Sequence, residues 1–97
     1  MREIQNYAVM TGSSIQVLRD NDERSALHIQ NNGANDLFYQ YSKDAEASNK
    51  SFKLTAGQTL ITGALECAKS ALYLFGTSGD VVVFFEASAE DRGARNA

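Results

Sequence analysis

The segment that decides the fold is Asp80-Val81-Val82-Val83-Phe84-Phe85-Glu86, which follows Ser70-Ala71-Leu72-Tyr73-Leu74-Phe75 and the turn Gly76-Thr77-Ser78-Gly79. Both apolar runs are rich in β-branched and aromatic residues, which favour β-strands. Two such runs joined by four turn residues predict an antiparallel hairpin. Because the second run is apolar on both faces, we expect both faces to be covered, by a second sheet or by another subunit.

The same signals predict five shorter strands upstream of this hairpin. They cover residues 14–18, 26–31, 37–41, 52–54 and 59–62. The turn at 31–36 is rich in Asn and Gly, so it predicts a second hairpin that joins the strands on either side of it. About seven short strands spaced by roughly eight to twelve residues, with no helix, predict an all-β fold: an antiparallel β-sandwich or jelly roll.

Alternation of side chains predicts which residues form the core. The final strand can turn only one of its two apolar sets, Val81/Val83/Phe85 or Val82/Phe84, toward the core. The remaining expected core residues are Ile15, Val17, Leu27, Ile29, Leu54, Leu72 and Leu74.

The chain divides into three predicted parts. Residues 1–13 show no clean period and are interpreted as an N-terminal arm, residues 14–88 as the β-sandwich domain, and residues 89–97 as a flexible C-terminal tail. Residues 64–69 are good helix formers, but the space before the next strand allows one helical turn at most. We interpret them as an irregular crossover.

Composition excludes several classes of function. The 97 residues suit one domain, and the net charge of −3 with nine scattered Lys and Arg residues argues against a nucleic-acid partner. No apolar stretch is long enough to cross a bilayer, and the N-terminus lacks the apolar core of a signal peptide. The single cysteine excludes an internal disulfide, which fits synthesis in a reducing cytoplasm.

The residues that could carry chemistry are few. His28 is the only histidine, and it falls on the predicted outward face of its strand. Cys67 lies beside Glu66, which disfavours a reactive thiolate, so a packed, inert thiol is the favoured interpretation. Asp20, Asp22 and Glu23 lack the glycine and the terminal glutamate of a calcium loop and read as a solvated turn. We therefore predict no enzyme activity, no metal and no cofactor.

Two groups of residues are candidates for binding a partner. Ile4, Tyr7, Val9 and Met10 are the bulky apolar residues of the predicted arm, where no period would bury them in a sandwich. Tyr39 and Tyr41 form the second group, since a tyrosine offers a flat apolar face and a hydroxyl. That chemistry suits protein interfaces and sugars alike, so a carbohydrate site remains an alternative for these tyrosines.

Three stretches together resemble a known family. They are Arg24-Ser25-Ala26-Leu27-His28-Ile29-Gln30-Asn31, then Leu54-Thr55-Ala56-Gly57-Gln58-Thr59-Leu60, then the Val-rich strand that ends in Glu86. Their order is similar to the pattern R-x-x-L-x-I-x-N, L-x-x-G and V-x-V-x-E of small β-sandwich structural proteins of tailed bacteriophage virions. The resemblance spans roughly residues 14–88 and departs from the family pattern at Ala56, where a proline is common.

The resemblance implies a non-enzymatic head decoration or cement protein that binds the capsid shell and stabilises the head. It also implies synthesis in the host bacterial cytoplasm, a final location in the virion, and the major capsid protein or other virion proteins as partners. Unguarded strand edges and the doubly apolar final strand predict a homo-oligomer, with a trimer as the predicted form. The alternatives are a head–tail connector or tail component, and a carbohydrate- or receptor-binding β-sandwich module.

Overall fold

The computed structural model describes residues 2–63 and 68–88. This part of the chain forms eight β-strands and no helix. Their bounds are β1 Arg2–Val9, β2 Ile15–Leu18, β3 Arg24–Asn31, β4 Leu37–Tyr41, β5 Phe52–Leu54, β6 Thr59–Thr62, β7 Leu72–Phe75 and β8 Val81–Ser88. The tail 89–97, Cys67 and most of the ambiguous stretch 64–69 lie outside the described residues.

The strands form two four-stranded antiparallel sheets, in the orders β1-β8-β3-β6 and β2-β7-β4-β5. We call them the first and the second sheet. This arrangement confirms the predicted all-β antiparallel sandwich of jelly-roll type, with eight strands where the sequence predicts about seven. One of the two inner strands of the first sheet is β8, which pairs with β1 on one side and with β3 on the other.

Both predicted hairpins are wrong. The turn after Phe75 carries the chain from β7 in the second sheet to β8 in the first, and the turn after Asn31 carries it from β3 to β4 in the same way. Each pair of segments alternates as expected, but alternation tells which face of a strand is buried and not which sheet the strand joins. Two strands that face each other across a sandwich have the same pattern as two that pair.

The predicted N-terminal arm is a strand. Residues 2–9 pair with β8 over their whole length, from Arg2 opposite Ser88 to Val9 opposite Val81. The segment shows no apolar period because its inward positions include Asn6 and Ala8, so the pairing with β8 rather than its own pattern defines its register. Met10 follows directly and is buried in the core, with 1% of its surface exposed.

The core lies between the two sheets, and most of the predicted residues are in it. Leu27, Ile29, Leu54, Leu72 and Leu74 are buried as expected, and Ile15 and Val17 are half-buried against them. In the final strand Val82 and Phe84 face the core. The other set, Val81, Val83 and Phe85, therefore lies on the outer face of the first sheet.

Arg24 and Asn31, the first and last residues of β3, form side-chain hydrogen bonds that link this strand to neighbouring segments. Arg24 is fully buried; its Nε donates to Glu86 Oε1 at 2.6 Å, and its other nitrogens donate to the backbone carbonyls of Arg19, Ala68 and Ser70. At the other end, the buried side-chain amide of Asn31 donates hydrogen bonds to the backbone carbonyls of Asn35 and Leu54. Its Oδ1 accepts a hydrogen bond from the Gly33 amide.

Candidate interaction surface

The outer face of the first sheet carries a row of apolar side chains. Cross-strand register places Tyr7 opposite Val83 and Val9 opposite Val81. We define the outer patch as the apolar residues on this face of β1, β8 and β6. Its members are Tyr7, Val9, Ile61, Val81, Val83 and Phe85.

His28 connects the two sides of this patch. It lies opposite Phe85 in the β3–β8 ladder and opposite Ile61 in the β3–β6 ladder. Its ring centroid is 4.9 Å from that of Phe85. The predicted outward position of His28 is therefore confirmed, and its aromatic contact makes it part of the apolar surface rather than an isolated polar group.

The patch is most exposed at its two margins. Tyr7 and Val9 on β1 are 63% and 48% exposed, and Ile61 on β6 is 67% exposed. The valines and phenylalanine of β8 between them are half-buried because strands flank β8 on both sides. A row of exposed apolar residues on a rigid sheet is typical of a surface that binds another protein.

The predicted binding residues lie on different sheets. Ile4, Tyr7 and Val9 are exposed on β1, with Ile4 on the inward side opposite Glu86. The prediction for Met10 is wrong, because its side chain is enclosed in the core and unavailable to a partner. Tyr39 and Tyr41 lie on β4 of the second sheet, so the structure does not bring the two predicted groups together on one strand surface.

Tyr39 and Tyr41 form an aromatic cluster with Phe52. The ring centroid of Phe52 is 5.2 Å from that of Tyr39 in a stacked arrangement, and Tyr41 meets Tyr39 edge-on at 6.0 Å. Tyr39 is buried, and burial raises the pKa of its hydroxyl above the ordinary value. Phe52 is 53% exposed. A partner would therefore meet Phe52 before it met Tyr39.

The sequence-based set of binding residues omits Ile61 and Phe52, and period-two alternation identifies only Ile61 as outward. In Thr59-Leu60-Ile61-Thr62, an inward Leu60 requires an outward Ile61. Phe52 has the same parity as the buried Leu54, so alternation predicts an inward side chain; Phe52 is exposed because it begins β5, an edge strand of the second sheet.

A polar cleft of about 740 Å³ lies where β2 meets the loop before β7. Two of its four charged side chains already serve the fold. Asp20 accepts a hydrogen bond from the Ala71 amide at 2.7 Å, and the Lys69 ammonium donates to the Arg24 carbonyl. Arg19 and Asp22 complete the charged set. Opposite charges are mixed in this cleft, which gives it no single sign of charge with which to select a ligand.

Within residues 2–63 and 68–88, no group of three or more His, Cys, Asp and Glu side chains is placed to hold a metal ion. The same residues contain no helix that could span a membrane.

Comparison with known proteins gives a fold and no family. No family model and no curated protein matches the chain. Among solved structures it is similar to a protein of Neisseria meningitidis (12% identity, TM-score 0.54, covering 89% of this chain and 74% of the other). It is also similar to a structure of Bacillus endospore appendages, described as disulfide-linked pili (6% identity, TM-score 0.54, covering 90% and 85%).

A third similar structure is a cupin-2 domain protein of Shewanella frigidimarina (6% identity, TM-score 0.51, covering 86% of this chain and 68% of the other). At these identities the three likenesses concern the fold alone.

Proposed function

We propose that this protein is a non-enzymatic structural subunit of a bacteriophage virion, of the decoration or cement type, that binds the capsid shell through the outer patch. The observation that carries the proposal is the exposure of Tyr7, Val9 and Ile61 on one rigid sheet face. The motif resemblance supplies the virion context, since the structural comparisons bear on the fold only.

The interior of the sandwich supports a structural rather than a catalytic role. Leu27, Ile29, Leu72, Leu74 and Val82 have no exposed surface, so the space between the sheets is filled by packed side chains. The buried ion pair Arg24–Glu86 links β3 to β8, and Arg24 also donates to the carbonyl of Ala68 in the loop before β7. A shell-bracing protein needs a stable body and repeated surface contacts, which symmetry multiplies into high avidity.

The test is binding to phage heads that lack the protein. Ile61→Ser removes an exposed apolar side chain from the outer patch, and Phe52→Ser removes a similarly exposed one from the second sheet. Burying an isoleucine contributes about 1.5–3 kcal/mol, so we expect Ile61→Ser to weaken cosedimentation with heads by about tenfold or more. Phe52→Ser should bind like the wild type. Equal binding by all three proteins would overturn the proposal.

The alternatives within the virion share this surface. A head–tail connector or tail component would be located at the neck or tail, and electron microscopy of labelled particles distinguishes these positions from the shell.

Deletion of residues 1–12 would not test binding alone, because it removes β1 from the first sheet and Met10 from the core.

A second candidate function is the binding of a carbohydrate or receptor by the aromatic cluster of Tyr39, Tyr41 and Phe52. Its supporting observation is the 53% exposed Phe52 ring beside Tyr39 and Tyr41. A glycan-binding screen tests it, with Phe52→Ala as the variant expected to lose binding and Ile61→Ala as the control. No glycan bound by the wild type excludes this candidate.

A further inference from the structure

Among residues 2–63 and 68–88, β1 is an edge strand of the first sheet, and no described strand pairs with the other side of its backbone. The Met10 amide donates to the Asp80 carbonyl at 2.8 Å, so Met10 and the even-numbered residues of β1 direct their backbone groups toward β8. The Asn32 amide donates to the Val81 carbonyl at 3.0 Å, so Val81 directs its backbone groups away from β1. Val9, the residue opposite Val81, therefore does not bond to β8, which agrees with this parity. The amides and carbonyls of Glu3, Gln5, Tyr7 and Val9 consequently point away from the sheet.

Exposed apolar side chains lie on both faces of this edge strand. Ile4 projects on the inward side and is 39% exposed, whereas Tyr7 and Val9 project on the outer side. A partner that rested flat on the outer face would leave Ile4 uncovered. A strand that paired with the open edge of β1 would contact side chains on both faces and would also satisfy the backbone groups.

The edge lacks the features that normally prevent such pairing. The chain contains no proline, and residues 4–9 carry no charge. Natural edge strands are usually blocked by proline, by lysine or by a bulge, and β1 pairs with β8 in continuous register without one. The Asn6 side chain covers a single group, accepting from the Tyr7 amide at 2.8 Å.

We infer that the partner of this edge is the β1 strand of a second copy, paired antiparallel about a two-fold axis. The uncharged segment 4–9 of β1, with its exposed Ile, Tyr and Val, is a chemically matched partner for itself, because no like charges meet within it. The pairing joins two four-stranded sheets into one of eight strands. An isologous contact of this kind requires an even number of chains, unlike the trimer that the sequence predicts. The inference deepens the proposed function, because it assigns the self-association of the same subunit to one strand.

Gln5→Pro tests the pairing directly. The amide of Gln5 points to the open edge, so proline there removes a donor from the intermolecular ladder and none from the β1–β8 ladder. Light scattering on the full chain should give an even multiple of 10.6 kDa for the wild type and half that mass for Gln5→Pro. Circular dichroism should remain that of a β-protein.

A second variant keeps the test valid if proline disturbs β1 itself. Tyr7→Lys adds a charge at a 63% exposed position on the edge strand, and Phe52→Lys adds one at a 53% exposed position on the second sheet. We expect Tyr7→Lys to weaken self-association by about tenfold or more and Phe52→Lys to leave it unchanged. A monomer or an odd number of wild-type chains at high concentration would overturn the inference, as would unchanged masses for both β1 variants.

This outcome is independent of the shell-binding test. Binding to heads is measured with Ile61→Ser, on the opposite edge of the sheet from β1. Self-association through β1 without shell binding would refute the proposed function alone, and shell binding by a monomer would refute the edge pairing alone.

Discussion

Arg24 shows how one residue can hold several parts of the chain together. Its guanidinium donates to Glu86 on β8 and to backbone carbonyls at Arg19, Ala68 and Ser70. A planar group with five donors can satisfy such divergent acceptors at once, whereas lysine could not. The residue is completely buried, and so is its bond to Glu86, which makes this carboxylate the acceptor that depends most on it.

Replacement of Arg24 should therefore be far more costly than loss of an exposed cation. Arg24→Met leaves Glu86 buried without its counter-ion, and we expect it to lower the free energy of unfolding by about 3–5 kcal/mol. Lys53→Met removes the cation of the exposed Lys53–Asp36 pair at 3.9 Å and should change stability by no more than about 0.5 kcal/mol. Urea titrations of both variants measure the difference. Similar losses would show that the buried pair contributes little.

Because Tyr39 is buried, we expect the free energy of unfolding to fall in alkaline solution. Burial raises the pKa of its hydroxyl above the ordinary value of 10.0, so in the unfolded chain the group loses its proton at a lower pH than in the folded chain. The contribution of the protonated Tyr39 hydroxyl to stability is complete below the pKa of the unfolded chain and is lost as pH rises through the higher pKa of the folded chain. Urea titrations from about pH 9 to about pH 11 should show this decline in the wild type.

The control for this dependence is a pair of phenylalanine variants. Tyr39→Phe removes the hydroxyl from the buried ring, and its stability should decline less steeply over the same pH range. Tyr7→Phe removes the hydroxyl from a tyrosine that is 63% exposed and should follow the wild-type curve. If Tyr39→Phe declines as steeply as the wild type, other groups cause the alkaline loss.

The sequence motifs indicate where these residues lie but not what they do. The stretch from Arg24 to Asn31 is recognisable as one strand, and alternation correctly puts Leu27 and Ile29 in the core. The partner of Arg24, however, lies 62 residues away on β8. Local patterns carry no information about such a contact, because it arises from the order of strands in the sheet.

At the scale of elements, the sequence predicts strands well and their partners poorly. Six of the seven predicted strands closely match β2 and β4–β8, and the seventh, at 26–31, lies within β3. The predicted hairpins fail because β3 and β4, like β7 and β8, lie in opposite sheets. β1 was missed altogether, since Asn6 and Ala8 on its inward side interrupt the apolar period. The exposed surface of β1 was nevertheless anticipated through Ile4, Tyr7 and Val9.

One turn between sheets depends on a glycine. The chain reverses between β5 and β6 through Thr55–Gln58, where the Gln58 amide donates to the Thr55 carbonyl at 3.0 Å and Gly57 has a φ of +82°. The Gly57 amide also donates to the Asn31 carbonyl at 2.8 Å. A positive φ at the third position of a turn is characteristic of type II and favours glycine.

Alanine at this turn should strain the backbone without a steric clash. A Cβ at Gly57 would meet no atom within 4 Å, so the expected loss of about 1 kcal/mol in unfolding free energy comes from φ alone. Gly63→Ala is the matched control, because Gly63 also has open space around it but no positive φ. Thermal melts of the two variants compare the effects. A Gly63 variant as unstable as the Gly57 variant would contradict this explanation.

At the scale of the whole molecule, the first sheet depends on its last strand. β1 pairs only with β8 among the described residues, and β3 relies on β8 for one of its two edges. Arg2 lies opposite Ser88, so the sheet closes only when the two ends of the described chain meet. Contacts between residues so far apart in sequence carry a loop-closure cost, which is typical of slowly folding β-proteins. The apolar run at residues 80–86 is thus part of the strand that completes the fold.

Two truncations separate the role of β8 from that of the residues after it. A chain that ends at residue 79 loses Val82 and Phe84 from the core, the counter-ion of Arg24, and β8, the strand with which β1 pairs. The cost of losing those two core side chains alone, about 3–8 kcal/mol, approaches the whole stability of a small domain, so we expect an unfolded chain. A chain that ends at residue 88 retains all eight strands and should melt cooperatively, as the predicted flexible tail requires. Circular dichroism on heating measures both, and a cooperative transition for the shorter chain would show that β8 is dispensable.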